Sequence, residues 1–187
     1  MTATVLVLCT ANRCRSPYAA AVLQRALDER GVRATVRSAG FLLSGQPVPE
    51  TGVRTLRRRG YDLSEHLSTR LTPALLQHSD LVVTMARSHV REVAAQEPSA
   101  WPRTFTLAEL ATLAPADRPS AEEDVPAWTS RVGAARPAGA ALGDEGDVLD
   151  PIGRRRGAWK AMADQIEHRA SAAVDALAPA LRRQVRT

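Results

Sequence analysis

The sequence predicts an α/β fold of three layers, α/β/α, built on a small parallel twisted sheet of about four strands. Three observations predict it. Short apolar, β-branched runs such as "TVLVL" and "DLVVT" read as buried strands. Segments with helical apolar spacing alternate with them, the pattern of parallel strands joined by crossover helices. At 187 residues and 44% apolar, the chain is long enough to fill one core without disulfides or metals.

The elements follow in order. "TVLVLC" is the first strand. Ser16 can cap a helix with Pro17 at its first position, and "YAAAVLQRALDERG" carries that helix to a stop at Gly31. "RATVRSAG" alternates as a second strand. "GQPVPETGVRTLRRRG" gives a loop and then a helix ending at Gly60. "TPALLQHS" is a short helix leading into "DLVVTM", the third strand, and a helix follows from Ser88 to about Gln96. "RTFTL" is a short fourth strand. Residues 114–146 are rich in Pro, Ala, Gly and acidic residues, and predict a surface insertion with one helical turn around Trp128. A long amphipathic helix from about Gly153 to Leu181 closes the chain, and residues 1–187 are expected to form one domain.

Charge and composition exclude several classes. The net charge is +5, nearly all of it arginine, since Lys160 is the single lysine. The arginines are scattered, with runs only at residues 57–59 and 154–156, and no zinc-ligand or aromatic RNA-binding pattern accompanies them. Nucleic acid is therefore not an expected partner. No stretch approaches the roughly 20 apolar residues that span a bilayer, so no membrane association is expected. No signal-peptide pattern stands at the N-terminus. The expected location is the cytoplasm, where thiols stay reduced. Both cysteines of the chain lie within "CTANRCRSP", residues 9–17, which points to reactivity rather than a structural bridge.

That stretch leaves a strand and enters a helix, a position where backbone N–H groups and the helix dipole welcome an anion, phosphate above all. A thiolate at Cys9 would be stabilised by the same field. Arg15, six positions later, can fork onto two phosphate oxygens. Ser16 can donate a hydrogen bond to the cysteine sulfur. Together these parts suit covalent phosphoryl transfer through a phosphate-binding loop between the first strand and the first helix.

With C-x5-R-S placed directly after the first strand, the chain resembles the low-molecular-weight protein tyrosine phosphatases. "RSAGF", "GQPVP", "GYDLSEH", "SDLVVTM" and "DVLDPIG" extend the likeness over nearly the whole chain outside 114–146. The resemblance implies hydrolysis of phosphotyrosine, or a related aryl phosphate, through a phosphocysteine, with no metal and no cofactor. It makes Cys9 the nucleophile, Arg15 the phosphate ligand and Asp150, ahead of Pro151, the general acid and base. Asp147 and Asp144 lie nearby as alternatives. Thr10, Ala11, Asn12, Arg13, Cys14 and Ser16 would line the loop, Asn12 turning it in the left-handed conformation. Ser38 and His66 match supporting positions that hydrogen-bond this asparagine. Cys14 matches a second cysteine able to form a reversible disulfide with the first, protecting it from deeper oxidation.

The chain departs from that pattern at Ala11, where many members have Gly, and at Ile152, where an aromatic usually walls the substrate ring. Phe41, Leu42 and Leu43 can supply one apolar wall. A phosphorylated protein or a small aryl phosphate is the expected partner, and oligomeric state is not legible. Two rivals stand beside the phosphatase. An arsenate reductase would need a small-molecule thiol, because no cysteine follows Cys14 to relay a disulfide. A silent phosphoprotein-binding module would keep the anion loop without turnover.

Overall fold

Four parallel strands carry the fold, in the order β2-β1-β3-β4. The structure, a computed structural model, describes residues 2–136 and 146–183. β1 (Ala3–Cys9) leads through α1 (Arg15–Glu29) to β2 (Ala34–Gly40) on one side of it. After α2 (Glu50–Arg57) and α3 (Pro73–Gln77) the chain returns as β3 (Leu81–Thr84) on the other side. α4 (Arg87–Gln96) and a 3-10 helix at Pro98–Arg103 precede β4 (Thr104–Thr106), and α5 (Leu107–Ala116), α6 (Val125–Ala134) and α7 (Arg156–Arg183) complete the order.

Side chains along each strand point alternately to the two faces of the sheet, which assigns the layers. Val5, Val7 and Cys9 of β1, with Val83 of β3, face the larger core shared with α1, α5 and α7. Leu6, Leu8 and Val82 face the opposite core, which takes Leu76 of α3 and Val93 of α4. Strands buried on both faces explain why "TVLVL" and "LVVT" are continuously apolar.

β1 is central, with its successor β2 on one flank and β3 on the other. The strand order therefore reverses at the carboxyl end of β1, the crevice where open parallel sheets bind ligands. The loop of residues 9–15 sits at that point.

Two regions differ from expectation. α5 begins at Leu107, the last residue of the predicted fourth strand, and runs into the expected insertion at residues 114–116, and α6 is a ten-residue helix rather than a single turn. The reason is packing. Val125, Trp128 and Val132 recur at helical spacing, and Trp128 is fully buried against Phe105, with ring centroids 5.8 Å apart. Asp124 caps α6 by accepting from Ala127 N at 2.9 Å. Residues 125–134 are thus part of the body rather than a surface excursion. Residues 137–145 of the expected insertion, Asp144 among them, lie outside the described residues.

Candidate active site

Cys9 ends β1 and Arg15 begins α1, so the five residues between them must reverse the chain in a tight space. Asn12 makes the turn with φ of 52°, the only positive φ outside glycine among the described residues. Its side chain is fully committed. Nδ2 donates to Ser16 Oγ and Ser38 Oγ, both at 2.9 Å, and Oδ1 accepts from Thr69 N at 2.8 Å. His66 Nε2 donates to the Asn12 carbonyl at 2.8 Å. The expected cap role of Ser16 is not taken up: α1 has no side-chain cap, and the Ser16 hydroxyl instead points into the loop.

That geometry converges on sulfur. Asn12 N donates to Cys9 Sγ at 3.3 Å and Ser16 Oγ donates to it at 3.0 Å. Two donors are thus aimed at one sulfur, which fixes its position at the base of the loop. Cys9 and Cys14 are both free and both buried. Burial pushes the Cys14 thiol up to about 12, aided by the adjacent charges of Cys9 and Asp150. Cys14 is therefore protonated at neutral pH and does not compete as a nucleophile.

Asp150 arrives from the far end of the chain. Its loop is pinned by Val148 N donating to Met85 O at 2.8 Å, just past β3, and by Leu149 N donating to Gln165 Oε1 on α7 at 3.1 Å. The carboxylate then meets the loop: Oδ2 accepts from Arg15 NH2 at 2.6 Å, and Oδ1 lies 3.9 Å from Cys14 Sγ. Arg15 is almost entirely buried, whereas the Asp150 side chain is 44% exposed, so one oxygen face stays open to solvent. Asp147 is employed elsewhere, its Oδ1 accepting from Arg87 N at 2.8 Å at the start of α4. Arg13 ties the rim to the neighbouring loop through Nε donating to Pro47 O at 2.8 Å. Ala11 is half-buried at the loop surface. No group of three or more His, Cys, Asp or Glu among the described residues is placed to hold a metal.

Three participants escape sequence reasoning. His89 Nε2 lies 2.9 Å from Thr10 Oγ1, which also accepts from Arg15 NH2 at 3.1 Å. His89 thereby braces the arginine through Thr10, and the Phe41 ring stacks on it at 5.6 Å. Phe41 is thus turned inward, leaving Leu42 and Leu43 as the exposed apolar residues of that loop. Thr69 contributes only its backbone, which no side-chain pattern reports. Gly40, at the end of β2, lies under the loop, where a Cβ would sit 2.7 Å from Asn12 N and 2.9 Å from Cys9 O.

A buried thiol with converging donors, a buried arginine and a carboxylic acid within reach define a cysteine-dependent phosphatase site. The family model for low molecular weight phosphotyrosine protein phosphatase matches residues 4–117, and the chain belongs to that family. A probable low molecular weight protein-tyrosine-phosphatase, EpsP, of Ralstonia solanacearum is 40% identical over 59% of this chain and 74% of its own length. A protein-arginine-phosphatase of Bacillus subtilis is 30% identical over 87% of this chain and 89% of its own. The crystal structure of the low molecular weight protein tyrosine phosphatase from T. tengcongensis superposes with a TM-score of 0.72 at 26% identity, covering 93% of this chain and 99% of that one.

Gly40→Ala forces the loop backbone to shift, and kcat/KM for a small aryl phosphate should fall by roughly 100-fold; a change within twofold would contradict the close approach. His89 is held down, from 6.5 to about 4, by burial and then by the Arg15 charge, with Asp150 opposing weakly. The unfolded chain binds that proton at higher pH than the folded one, so the His89 contribution is present above about 6.5 and lost as pH falls through 4. Urea unfolding should show wild type losing on the order of 3 kcal/mol across that window beyond what His89→Asn loses. Equal slopes in the two proteins would refute it.

Proposed function

We propose that Cys9, Arg15 and Asp150 together hydrolyse the phosphate ester of a phosphotyrosine-bearing protein, or a related aryl phosphate, in two displacements. The observation that carries this reading is the Arg15–Asp150 contact. It joins two residues 135 positions apart at the mouth of the loop that holds Cys9. A phosphate bound by the Arg15 guanidinium is then within reach of both the sulfur and the carboxylic acid.

In the first displacement Cys9 Sγ attacks phosphorus and the bond to the leaving oxygen breaks. Asp150 gives its proton to that oxygen as it departs. The Arg15 fork and the loop amides hold the equatorial oxygens, where charge gathers in the transition state. In the second displacement Asp150, now a carboxylate, takes a proton from water as the water attacks the phosphocysteine. The thiolate leaves and phosphate is released. The Ser16 hydroxyl, donating to Sγ, stabilises the thiolate at both ends of the cycle. Thr10 and His89 hold Arg15 in place.

The rim favours a substrate with an apolar body. Leu42, Leu43, Leu67 and Ile152 are the exposed large apolar side chains among the described residues. Each lies on a segment tied to the loop. Leu42 N donates to Thr10 O at 3.2 Å, Leu67 pairs with Pro47, and Ile152 N donates to Asp150 Oδ1 at 3.1 Å. Two free thiols suit work in the reducing cytoplasm, and no helix among the described residues is long and apolar enough to cross a membrane. We read residues 1–187 as one phosphatase domain.

A second reading keeps the same chemistry on phosphoarginine. It is favoured by the Bacillus subtilis protein-arginine-phosphatase, which matches this chain over 87% of its length. Ile152 supports it as well, since an aliphatic wall does not select an aromatic ring.

Steady-state hydrolysis of an aryl phosphate tests the proposal. Cys9→Ser should abolish turnover, and Asp150→Asn should lower kcat by about 100-fold to 10,000-fold. Full activity in Cys9→Ser would overturn the assignment, and thiol-dependent arsenate reduction in place of hydrolysis would replace it. Comparing kcat/KM on phosphotyrosine and phosphoarginine peptides separates the two substrates.

A further inference from the structure

Arginines crowd one side of the Asp150 loop, brought together by a close helix contact. Gly52 of α2 lies against the Trp159 ring of α7, where any Cβ would collide with the indole. On the solvent side of that contact, Thr51 and Arg54 of α2 and Arg58 at its C-terminal cap meet Arg154, Arg155 and Arg156 around an open cavity of about 430 Å³.

Most of the charge of this cavity is not relieved within the protein. Of the lining arginines Arg54 pairs with Glu50, and beyond the cavity Arg57 pairs with Asp62 and Arg59 with Asp164 and Glu167. Arg58, Arg154, Arg155 and Arg156 form no ion pair among the described residues, and all four are exposed. Three of them also stand at the start of a 28-residue helix with no acidic residue in its first turn. Cations there oppose the helix dipole, an unfavourable term that a bound anion would offset.

The cavity lies close to the reacting centre. Arg154 N donates to Pro151 O at 3.0 Å, closing a turn directly after Asp150. Such a turn holds its ends within about 7 Å, which places the Asp150 and Arg154 backbones within roughly 11 Å of each other. An extended peptide covers that span in about three to four residues.

We infer that the arginine cavity between α2 and the start of α7 is a docking subsite for an acidic peptide segment of the phosphoprotein substrate. It takes Asp or Glu side chains about three to five positions from the phosphoresidue held over Cys9. Guanidinium groups fork onto carboxylates, and their unscreened field draws an acidic chain toward the mouth of the site. The inference rests on the phosphatase reading of the Cys9 loop.

Phosphotyrosine peptides carrying Glu or Ala at those flanking positions, on either side, test it with the full chain. Wild type should show kcat/KM about tenfold higher for an acidic peptide, expressed in KM, with the advantage gone in Arg58→Gln/Arg155→Gln/Arg156→Gln and at roughly 1 M salt. Equal values for acidic and Ala peptides in wild type, or an acidic preference kept by the triple variant, would overturn the inference. Aryl phosphate turnover, read in parallel, tests the phosphatase reading alone. Fluorescence anisotropy of an unphosphorylated glutamate-rich peptide then judges the subsite independently. Binding at least tenfold weaker in the triple variant supports it, and equal binding or none contradicts it.

Discussion

Asn12 holds the loop in a conformation that the backbone by itself resists. A non-glycine residue at φ of 52° costs on the order of 1 kcal/mol, and the surrounding hydrogen bonds, each contributing roughly 0.5–1.5 kcal/mol, outweigh that cost. Those bonds come from three separate segments: Ser16 on α1, Ser38 on β2, and the His66–Thr69 stretch. The turn cannot relax unless all three move. Its consequence is local and chemical, because the same turn aims Asn12 N at Cys9 Sγ. Gly40 is the steric counterpart, leaving the room into which the loop folds. The loop is therefore shaped before any substrate arrives, which spares reorganisation during the reaction.

The sheet supplies the place for that turn. With β2 and β3 on opposite sides of β1, the crevice opens at the carboxyl end of β1, and both halves of the site descend into it. Cys9 comes from the end of β1, while the Asp150 loop is docked just beyond β3 through the Val148–Met85 bond. Arg15 joins them, touching Thr10 on one side and Asp150 on the other. The buried His89 bonds to Thr10, and the exposed Leu42 and Ile152 are joined through their backbone N–H groups to Thr10 and Asp150.

Much of this was legible in the sequence because it is local. Strand alternation and continuous apolar runs report burial directly, and the cysteine loop spans only seven residues. Asp150 was legible through resemblance and through Pro151 beside it, not through any spacing that links it to Cys9. What escaped depends on contacts over long separations. His89 meets Thr10 across 79 residues, so no local pattern names its partner, and Thr69 acts through a backbone amide, which leaves no side-chain signal. His89 does share the buried face of α4 with Val93, a hint that its ring points inward. α6 was hidden differently. Its flanks are rich in Pro, Gly and acidic residues, yet Asp124 at the cap, Pro126 in the first turn and the Val125–Trp128–Val132 stripe together spell a helix.

Double displacement requires a covalent intermediate on the Cys9 sulfur. Rapid mixing with an aryl phosphate, an acid quench and mass spectrometry of the peptides would look for it directly. The expected result is a single phosphoryl group on the peptide carrying Cys9, formed together with a burst of the aryl alcohol and absent in Cys9→Ser. Turnover with no such adduct and no burst, or phosphate found on any residue other than Cys9, would contradict it.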